Sequence, residues 1–209
     1  MSVVIKKVTT RDDLKKFIQF GIDLYEGNEY FVPPLIYDER ATLNMNKNPA
    51  FEHCDASYFL AYREEKIVGR IGVIINYKAN ETWKQKNARF GFVDFIDEAE
   101  VADALFGAAE SWARSRGMEK MHGPLGFTDM DHEGMLIEGF DRLGTMATIY
   151  NYPYYPEHMW FQIAGTNSCA SAHAWLRKTA FAGSDARVLM KLIVCAETRR
   201  VLGCHIVAP

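Results

Sequence analysis

The stretch ASYFLAYREEKIVGRIGVIIN at residues 56–76 gives the clearest indication of the fold. It contains two runs rich in β-branched and aromatic residues, and the polar segment REEK between them has the length of a hairpin turn. We therefore predict an antiparallel β-hairpin here. The run ARFGFVDFI at 88–96 is aromatic and alternating, which is typical of a strand, so we expect a third strand beside the hairpin.

The residues before the hairpin predict one strand and two helices. VVIKKV at 3–8 has the pattern of a short strand, and Thr10 with Asp13 resembles a capping box at the start of a helix. Pro33 and Pro34 precede a second, short helix, since proline is tolerated in a first helical turn but not further inside.

The residues after the third strand predict a helix and another strand. EVADALFGAAESWARSRG at 100–117 places Val101, Leu105 and Trp112 on one face and offers Gly117 as the helix end. MEKMHGP at 118–124 is predicted to be a strand, and a strand-helix-strand unit favours parallel pairing. The predicted fold class is α/β (α+β), with a mixed, mostly antiparallel twisted sheet flanked by helices.

Composition restricts the classes of partner. The chain has 209 residues, 48% of them hydrophobic, and 24 basic against 27 acidic residues give a net charge of -3. We therefore expect neither a nucleic acid nor a membrane as a partner, since both require a basic surface. The N-terminus suits neither a signal peptide nor a spanning helix, and the four cysteines have no metal or redox spacing, so we expect a cytoplasmic protein with free thiols.

The predicted order β-α-α-β-β-β-α-β resembles the N-acetyltransferase superfamily called GNAT. Several segments resemble a bacterial GNAT-like family over residues 3–159, and they occur in its order: VPPLIYDER, KNPAFEHCDASYFLAYREEKIVGRIGVIIN, HGPLGFTDMDHEGMLIEGFD and YNYPYYPEHM. The resemblance implies an acyl-CoA-dependent N-acyltransferase, with acetyl-CoA or another acyl-CoA as co-substrate and an unidentified small-molecule amine as acceptor.

The same resemblance implies roles for particular residues. GNAT enzymes hold the CoA pyrophosphate on backbone N–H groups between the fourth strand and the next helix, here those of Val93, Phe95 and Ile96. A late tyrosine acts as the general acid toward the departing thiolate, and Tyr150 and Tyr155 are the candidates that we choose among four tyrosines in 150–155. Glu133 is the candidate base that deprotonates the amine.

One departure from the family pattern leaves a second function open. VDFIDEAEVADAL at 93–105 lacks the glycines of the pyrophosphate loop and carries Asp94, Asp97, Glu98 and Glu100 around the start of the helix. These acids would repel a pyrophosphate, although they would also stabilise the start of the helix. The alternative is therefore a non-catalytic GNAT-fold module that binds a ligand or a partner but not CoA.

The loop DMDHEG at 129–134 imitates the start of an EF-hand. The twelfth position of that motif must be a bidentate carboxylate, and here it is Phe140, so we predict no calcium or other metal site, although a looser one using His122 or His132 stays open. Residues 123–141 read better as a ligand loop at a strand end, in which Gly126 and Gly134 permit positive φ. The competing interpretation is that its polar side chains satisfy only the loop's own backbone.

The segment TIYNYPYYPEH at 148–158 combines stiffening prolines with four tyrosines. Rigid aromatic rings with free hydroxyls suit the wall of a pocket, and they suit the packing of a helix start equally well. Both interpretations stay open on the sequence alone.

The chain divides at about residue 160 in our prediction, with a GNAT-like domain at 1–160 and a segment of uncertain origin at 161–209. VLMKLIVCAETRRVLGCHIVAP at 188–209 resembles the start of the dimerisation domain of glutathione-reductase-like flavoprotein disulfide reductases. No dinucleotide or redox cysteine motif accompanies it, so we expect no flavin. Its pattern predicts a β-hairpin at 188–207 that completes a sheet or pairs with a second copy in a homodimer.

Overall fold

The computed structural model describes residues 2–128, 131–144 and 149–159, and three further strands. Its first part follows the predicted order of helices and strands. The elements are β1 (Val4–Lys7), α1 (Arg11–Asp23), α2 (Ile36–Thr42), a 3-10 turn (Pro49–Glu52), β2 (Cys54–Arg63), β3 (Lys66–Asn76), α3 (Tyr77–Thr82), β4 (Asn87–Phe95), α4 (Ala99–Ser115) and β5 (Lys120–His122). Residues 155–159 are helical as well.

The main sheet has five strands in the order β1-β2-β3-β4-β5. Neighbouring strands from β1 to β4 are antiparallel, and β5 pairs with β4 in parallel. This confirms the fold class, the hairpin and the parallel crossover. A two-residue turn closes the hairpin, with Glu64 at φ 56°.

The helices begin and end where the local sequence predicts. Thr10 and Asp13 form a capping box at the start of α1, because each side chain accepts a hydrogen bond from the other residue's backbone N–H. Gly117 adopts φ 75° after α4, a conformation that favours glycine.

Two hydrophobic cores lie on opposite faces of the sheet. Along β2, Phe59 and Ala61 contact the core that contains α4, whereas Tyr58 and Leu60 contact the core that contains α1. This alternation follows from the two-residue period of a strand. The sheet is therefore covered by helices on both faces.

A β-bulge interrupts β4 in the middle of the sheet. Arg70 pairs with Asp94 and Gly72 pairs with Gly91, so two residues of β4 oppose one residue of β3. Phe92, in the bulge, has φ 47°, which is the left-handed region that non-glycine residues rarely adopt. Bulges bend a strand and re-aim its side chains, and they often occur beside functional sites.

Strands β6 (Ala170–Leu176), β7 (Val188–Val194) and β8 (Val201–Val207) form a second, antiparallel sheet. Pairing of β7 with β8 confirms the hairpin predicted at 188–207. Strand β6 is additional to the predicted hairpin, and it pairs with β7 over its whole length. The sequence ASAHAWL is rich in alanine, a weak strand former, so pairing rather than propensity accounts for β6.

Candidate functional site

A cleft opens beside the bulge, where β4 continues beyond the end of its parallel neighbour. The last paired residues are Arg89 and His122, and β4 then runs on to Phe95. The cleft encloses about 80 Å³, several times the ~10–15 Å³ that one water molecule needs. Its lining combines aromatic, apolar and titratable side chains from α1, α2, β3, β4 and the loops after β5: Tyr25, Phe31, Glu39, Arg70, Phe92, Asp94, His132, Met135, Tyr150, Asn151, Tyr155 and Met159 among others.

A buried ion pair forms the floor of this cleft. Arg70 Nε lies 2.7 Å from Asp94 Oδ2, and the two side chains are only 8% and 10% exposed. Arg70 Nη1 also donates to the carbonyl oxygen of Phe17 at 3.0 Å. Burial alone would lower the pKa of Arg70, but the carboxylate of Asp94 outweighs it and the net shift is upward, so the guanidinium stays charged.

Two buried tyrosines donate hydrogen bonds to the second carboxylate oxygen of Asp94. Tyr25 and Tyr155 both donate from their hydroxyls to Asp94 Oδ1, at 2.8 Å and 3.1 Å, and the two hydroxyls lie 3.0 Å apart. Burial, followed by the nearby charge of Asp94, raises the pKa of both phenols well above the ordinary value. These hydroxyls therefore keep their protons at neutral pH.

This network predicts a distinctive alkaline titration. The chain has ten tyrosines, and we expect Tyr25 and Tyr155 to stay protonated at pH 10 in the folded protein. Because an unfolded tyrosine ionises near pH 10, stability is retained below that pH and falls as the pH rises above it. Absorbance at 295 nm in buffer and in denaturant measures the difference; equal numbers of titrating phenols near pH 10 would contradict the network.

Glu39 lies on the α2 side of the cleft and is partly buried. Burial raises the pKa of its carboxyl, and the nearby Arg70 guanidinium offsets only part of that shift. Among the residues that the structure describes, none makes a hydrogen bond to this carboxylate. Glu39 thus differs from Asp94, whose two oxygens are fully engaged.

The structure brings some of the predicted site residues together. Val93, Tyr150 and Tyr155 line the cleft. The Tyr150 hydroxyl accepts from Asn28 Nδ2 at 2.9 Å and donates to the carbonyl oxygen of Phe140 at 3.1 Å. Glu133 is not in the described lining, although its neighbours on both sides, His132 and Gly134, are.

The backbone donors predicted for a pyrophosphate are partly engaged inside the protein. The N–H of Phe95 donates to the Tyr155 hydroxyl at 3.2 Å, and the N–H of Ile96 donates to the carbonyl oxygen of Val68 at 3.0 Å. A ligand that used these two groups would have to replace both bonds.

The four acids around the start of α4 all have basic partners. Asp94 pairs with Arg70, Asp97 lies 2.7 Å from His158 Nε2, and Arg63 contacts both Glu98 and Glu100. Glu98 occupies the N-cap position of α4 but makes no side-chain cap bond, so any stabilisation that it gives the helix start comes from its charge. Because Arg70 neutralises Asp94 and the single charge of Arg63 offsets part of that of Glu98 and Glu100, these acids repel an anion less than the sequence alone suggests.

The loop after β5 is built by close approaches and side-chain hydrogen bonds. Gly134 has φ 84°, as predicted, but Gly126 does not adopt positive φ; a Cβ there would overlap the Asp131 side chain. Asp131 Oδ2 accepts from the N–H of Thr128 at 3.0 Å, so this acid serves its own loop. Asp129 lies outside the described residues, and the described part of the chain holds no cluster of three metal-ligating side chains.

The tyrosine-rich segment both packs and lines the cleft. Tyr152 and Tyr154 donate to the carbonyl oxygens of Leu24 and Phe95, at 3.1 Å and 2.6 Å, so these hydroxyls hold the segment in place. Buried Asn151 bonds to both the N–H and the carbonyl oxygen of Leu136, which ties the segment to the loop after β5. The two interpretations of this segment are therefore both correct.

Sequence reasoning missed Tyr25, Glu39, Arg70 and Asn151 as cleft residues. Two of the cleft charges did leave a pattern, since Arg70 interrupts the apolar run of β3 and Asp94 interrupts that of β4. Opposite charges within adjacent buried strands indicate an ion pair, because a lone buried charge is strongly unfavourable. No comparable pattern marks Glu39, which follows Asp38 and precedes Arg40 in a short polar helix.

The helices offer no membrane span: throughout the described ranges, each one is too short or too polar to cross a bilayer. No family model matches the chain.

Curated relatives match most of the chain but less than half of their own length. The chain is 34% identical to the protein YghO of Escherichia coli K12 over 156 residues, which are 75% of the chain and 40% of that protein. It is 33% identical to the bacterial ceramide synthase of Caulobacter vibrioides over 135 residues, which are 64% of the chain and 35% of that protein. The chain thus spans about two fifths of the length of these relatives.

Solved structures show a more distant likeness. An aminoglycoside acetyltransferase from an uncultured soil metagenomic sample has a TM-score of 0.41 and 22% identity, covering 57% of this chain and 74% of its own. A transcriptional regulator from Bacillus halodurans has a TM-score of 0.40 and 20% identity, covering 57% of this chain and 79% of its own. None of these relatives is a flavoprotein reductase, and that resemblance of residues 188–209 stays a prediction.

Proposed function

We propose that the cleft catalyses transfer of an acyl group from acyl-CoA to an amine. The observation that carries this proposal is the cleft itself, which lies at a strand bulge and joins an aromatic wall to titratable groups with shifted pKa values. Concave sites of this composition are the usual place for catalysis in α/β domains. The relative named bacterial ceramide synthase supports an acyl-transfer assignment.

In the proposed reaction the amine nitrogen attacks the thioester carbonyl carbon. A C–N bond forms, the C–S bond breaks, and the CoA thiolate leaves and takes up a proton. Of the two predicted acids, Tyr155 is the weaker one, because its pKa is raised well above that of a thiol and its proton already binds Asp94. Tyr150, whose hydroxyl lies in the cleft and donates only to a carbonyl oxygen, is the better donor.

The pyrophosphate of acyl-CoA must be bound by groups other than two of the backbone N–H donors that the sequence suggested. The N–H groups of Phe95 and Ile96 already have partners in the protein, so we expect the pyrophosphate to bind elsewhere along the mouth of the cleft. The Arg63 guanidinium beside Glu98 and Glu100 makes that region less repulsive to an anion.

The engaged donors favour a second candidate function, a module of this fold that binds a ligand or partner without CoA and without catalysis. Under that alternative, the Tyr25–Asp94–Tyr155 network is structural and its tyrosine hydroxyls never exchange protons with a ligand. Binding of CoA separates the two candidates.

Release of free thiol tests the proposal. The protein is incubated with acyl-CoAs of short and long chain and a panel of primary amines, and thiol is detected colorimetrically. We expect thiol release that requires both the protein and an amine. Release that is independent of the amine would indicate thioester hydrolysis instead, and no release with any pair would favour the binding module.

Replacing Tyr150 by phenylalanine is expected to lower kcat by about 100-fold, the lower end of the range for removal of a general acid. The KM for the amine should change little if the hydroxyl acts on the leaving thiolate. Tyr77→Phe is the matched control, since Tyr77 is 47% exposed and lies outside the described lining of the cleft. Equal kcat values for the two variants would remove Tyr150 from the mechanism.

A further inference from the structure

Among the described residues that line the cleft, Glu39 has the one carboxylate that accepts no hydrogen bond. Glu39 and Asp94 are the acidic side chains of that lining, and Asp94 binds Arg70, Tyr25 and Tyr155. The hydrogen bonds among the described residues leave the Glu39 carboxylate without a donor. A partly buried carboxylate of this kind is costly to keep unless something else binds it.

The charges in the cleft favour a cation at Glu39. Arg70 already pairs with Asp94 at 2.7 Å, so its positive charge does not fully neutralise Glu39. His132 faces the same space from the loop after β5, and Asp131 adds a further negative charge nearby. An ammonium group would supply the missing counter-charge and a hydrogen-bond donor together, whereas an anion would add to an excess of carboxylate.

We propose that Glu39 binds the acceptor amine in its ammonium form and then takes its proton. This inference rests on the proposed acyl transfer and assigns the acceptor side of the same cleft. It places the base on α2, at a residue that lines the cleft, rather than at Glu133.

The proton transfers balance as follows. The Glu39 carboxylate accepts one proton from R–NH3+, which gives the carboxylic acid and the free amine R–NH2. The amine nitrogen forms the C–N bond and the thiolate leaves. The new amide nitrogen then loses a proton, which gives the neutral amide, and Tyr150 donates a proton to the thiolate, which gives CoA thiol. Solvent then returns a proton to Tyr150 and removes those released from Glu39 and the amide nitrogen.

The environment suits Glu39 to this work. Burial raises the pKa of its carboxyl, which makes the carboxylate a stronger base than an exposed glutamate. Arg70 and His132 lower that pKa, while Asp94 and Asp131 raise it. The rate is therefore expected to rise with pH through the pKa of Glu39, since only the carboxylate accepts a proton.

Glu39→Gln tests this assignment, with Asp38→Asn as the matched control on the same helix. Both variants remove one negative charge, but Asp38 lies outside the described lining of the cleft. For Glu39→Gln we expect kcat/KM for the amine to fall by about 100-fold or more and the acidic limb of the pH–rate profile to disappear. Asp38→Asn should keep both, and Glu39→Asp, a shorter carboxylate, should recover part of the rate and the acidic limb.

A binding measurement separates this inference from the proposed function. Primary alkylammonium ions and the corresponding neutral alcohols are titrated calorimetrically into the full chain without CoA. We expect ammonium binding that Glu39→Gln weakens at least about 10-fold and Asp38→Asn does not, which is the loss of one charge-assisted contact.

The two experiments together distinguish the role of Glu39 from acyl transfer itself. Ammonium binding that depends on Glu39, without any thiol release, would keep the amine site and overturn acyl transfer. Thiol release that Glu39→Gln leaves unchanged, or that Glu133→Gln abolishes instead, would overturn the role of Glu39 and keep acyl transfer. No ammonium binding and no thiol release would overturn both.

Discussion

Replacing Asp94 by asparagine is expected to lower the free energy of unfolding by about 3–5 kcal/mol, the cost of leaving a buried charge without its partner. Arg70 cannot move away to water easily, because its guanidinium lies against Gly21 and under the carbonyl of Phe17. Asparagine keeps the shape of the aspartate side chain and one oxygen that can accept from the tyrosines. The loss of stability therefore reports the missing charge rather than altered packing. Urea denaturation followed by circular dichroism gives the value.

Asp97→Asn is the matched control for this prediction. Asp97 is three residues away and 64% exposed, and its contact with His158 is worth at most about 1 kcal/mol at the surface. The double variant Arg70→Met/Asp94→Asn should be less destabilised than the sum of its single variants, because the orphaned charge is gone. Similar losses for Asp94→Asn and Asp97→Asn would show that the ion pair does not hold the floor of the cleft.

Replacing Gly123 by alanine is expected to cost at least about 3 kcal/mol, the upper end of the range for overpacking. A Cβ there would overlap the carbonyl oxygen of Phe90 and lie 2.9 Å from Phe90 Cδ1. The carbonyl cannot yield freely, since it accepts a hydrogen bond from the N–H of Leu125 at 2.7 Å. Relief of the overlap therefore separates the loop after β5 from β4 and opens the cleft.

Gly107→Ala provides a control of opposite sign. Gly107 lies inside α4, and a Cβ there meets no atom within 4 Å, so alanine should stabilise the helix by about 1 kcal/mol. Thermal and urea unfolding of both variants gives the comparison. A neutral Gly123→Ala would mean that the loop does not approach β4 as closely as described.

Local patterns accounted for most of the main sheet and its helices. The alternation in 56–76, the capping box at Thr10 and the glycine at 117 each act over a few residues, so one sequence is enough to identify them. The bulge at Phe92 and strand β6 were not predicted, because both depend on the register of a partner strand. The short helix α3 also escaped, since its six residues carry no apolar stripe.

The candidate site was only partly predictable for the same reason. Tyr150 and Tyr155 stood out because they sit in an unusual local composition, and both line the cleft. Tyr25 reaches Asp94 across 69 residues of sequence, and nothing near Tyr25 indicates that partner. Glu39 enters the site only because α2 borders the cleft, and that placement is a property of the packed fold.

Thermal unfolding with and without CoA shows whether the cleft beside the β4 bulge binds an acyl-CoA. We expect CoA at 100 times its Kd to add about 2.7 kcal/mol to the stability and to raise Tm by several degrees. An unchanged Tm at millimolar CoA would contradict it.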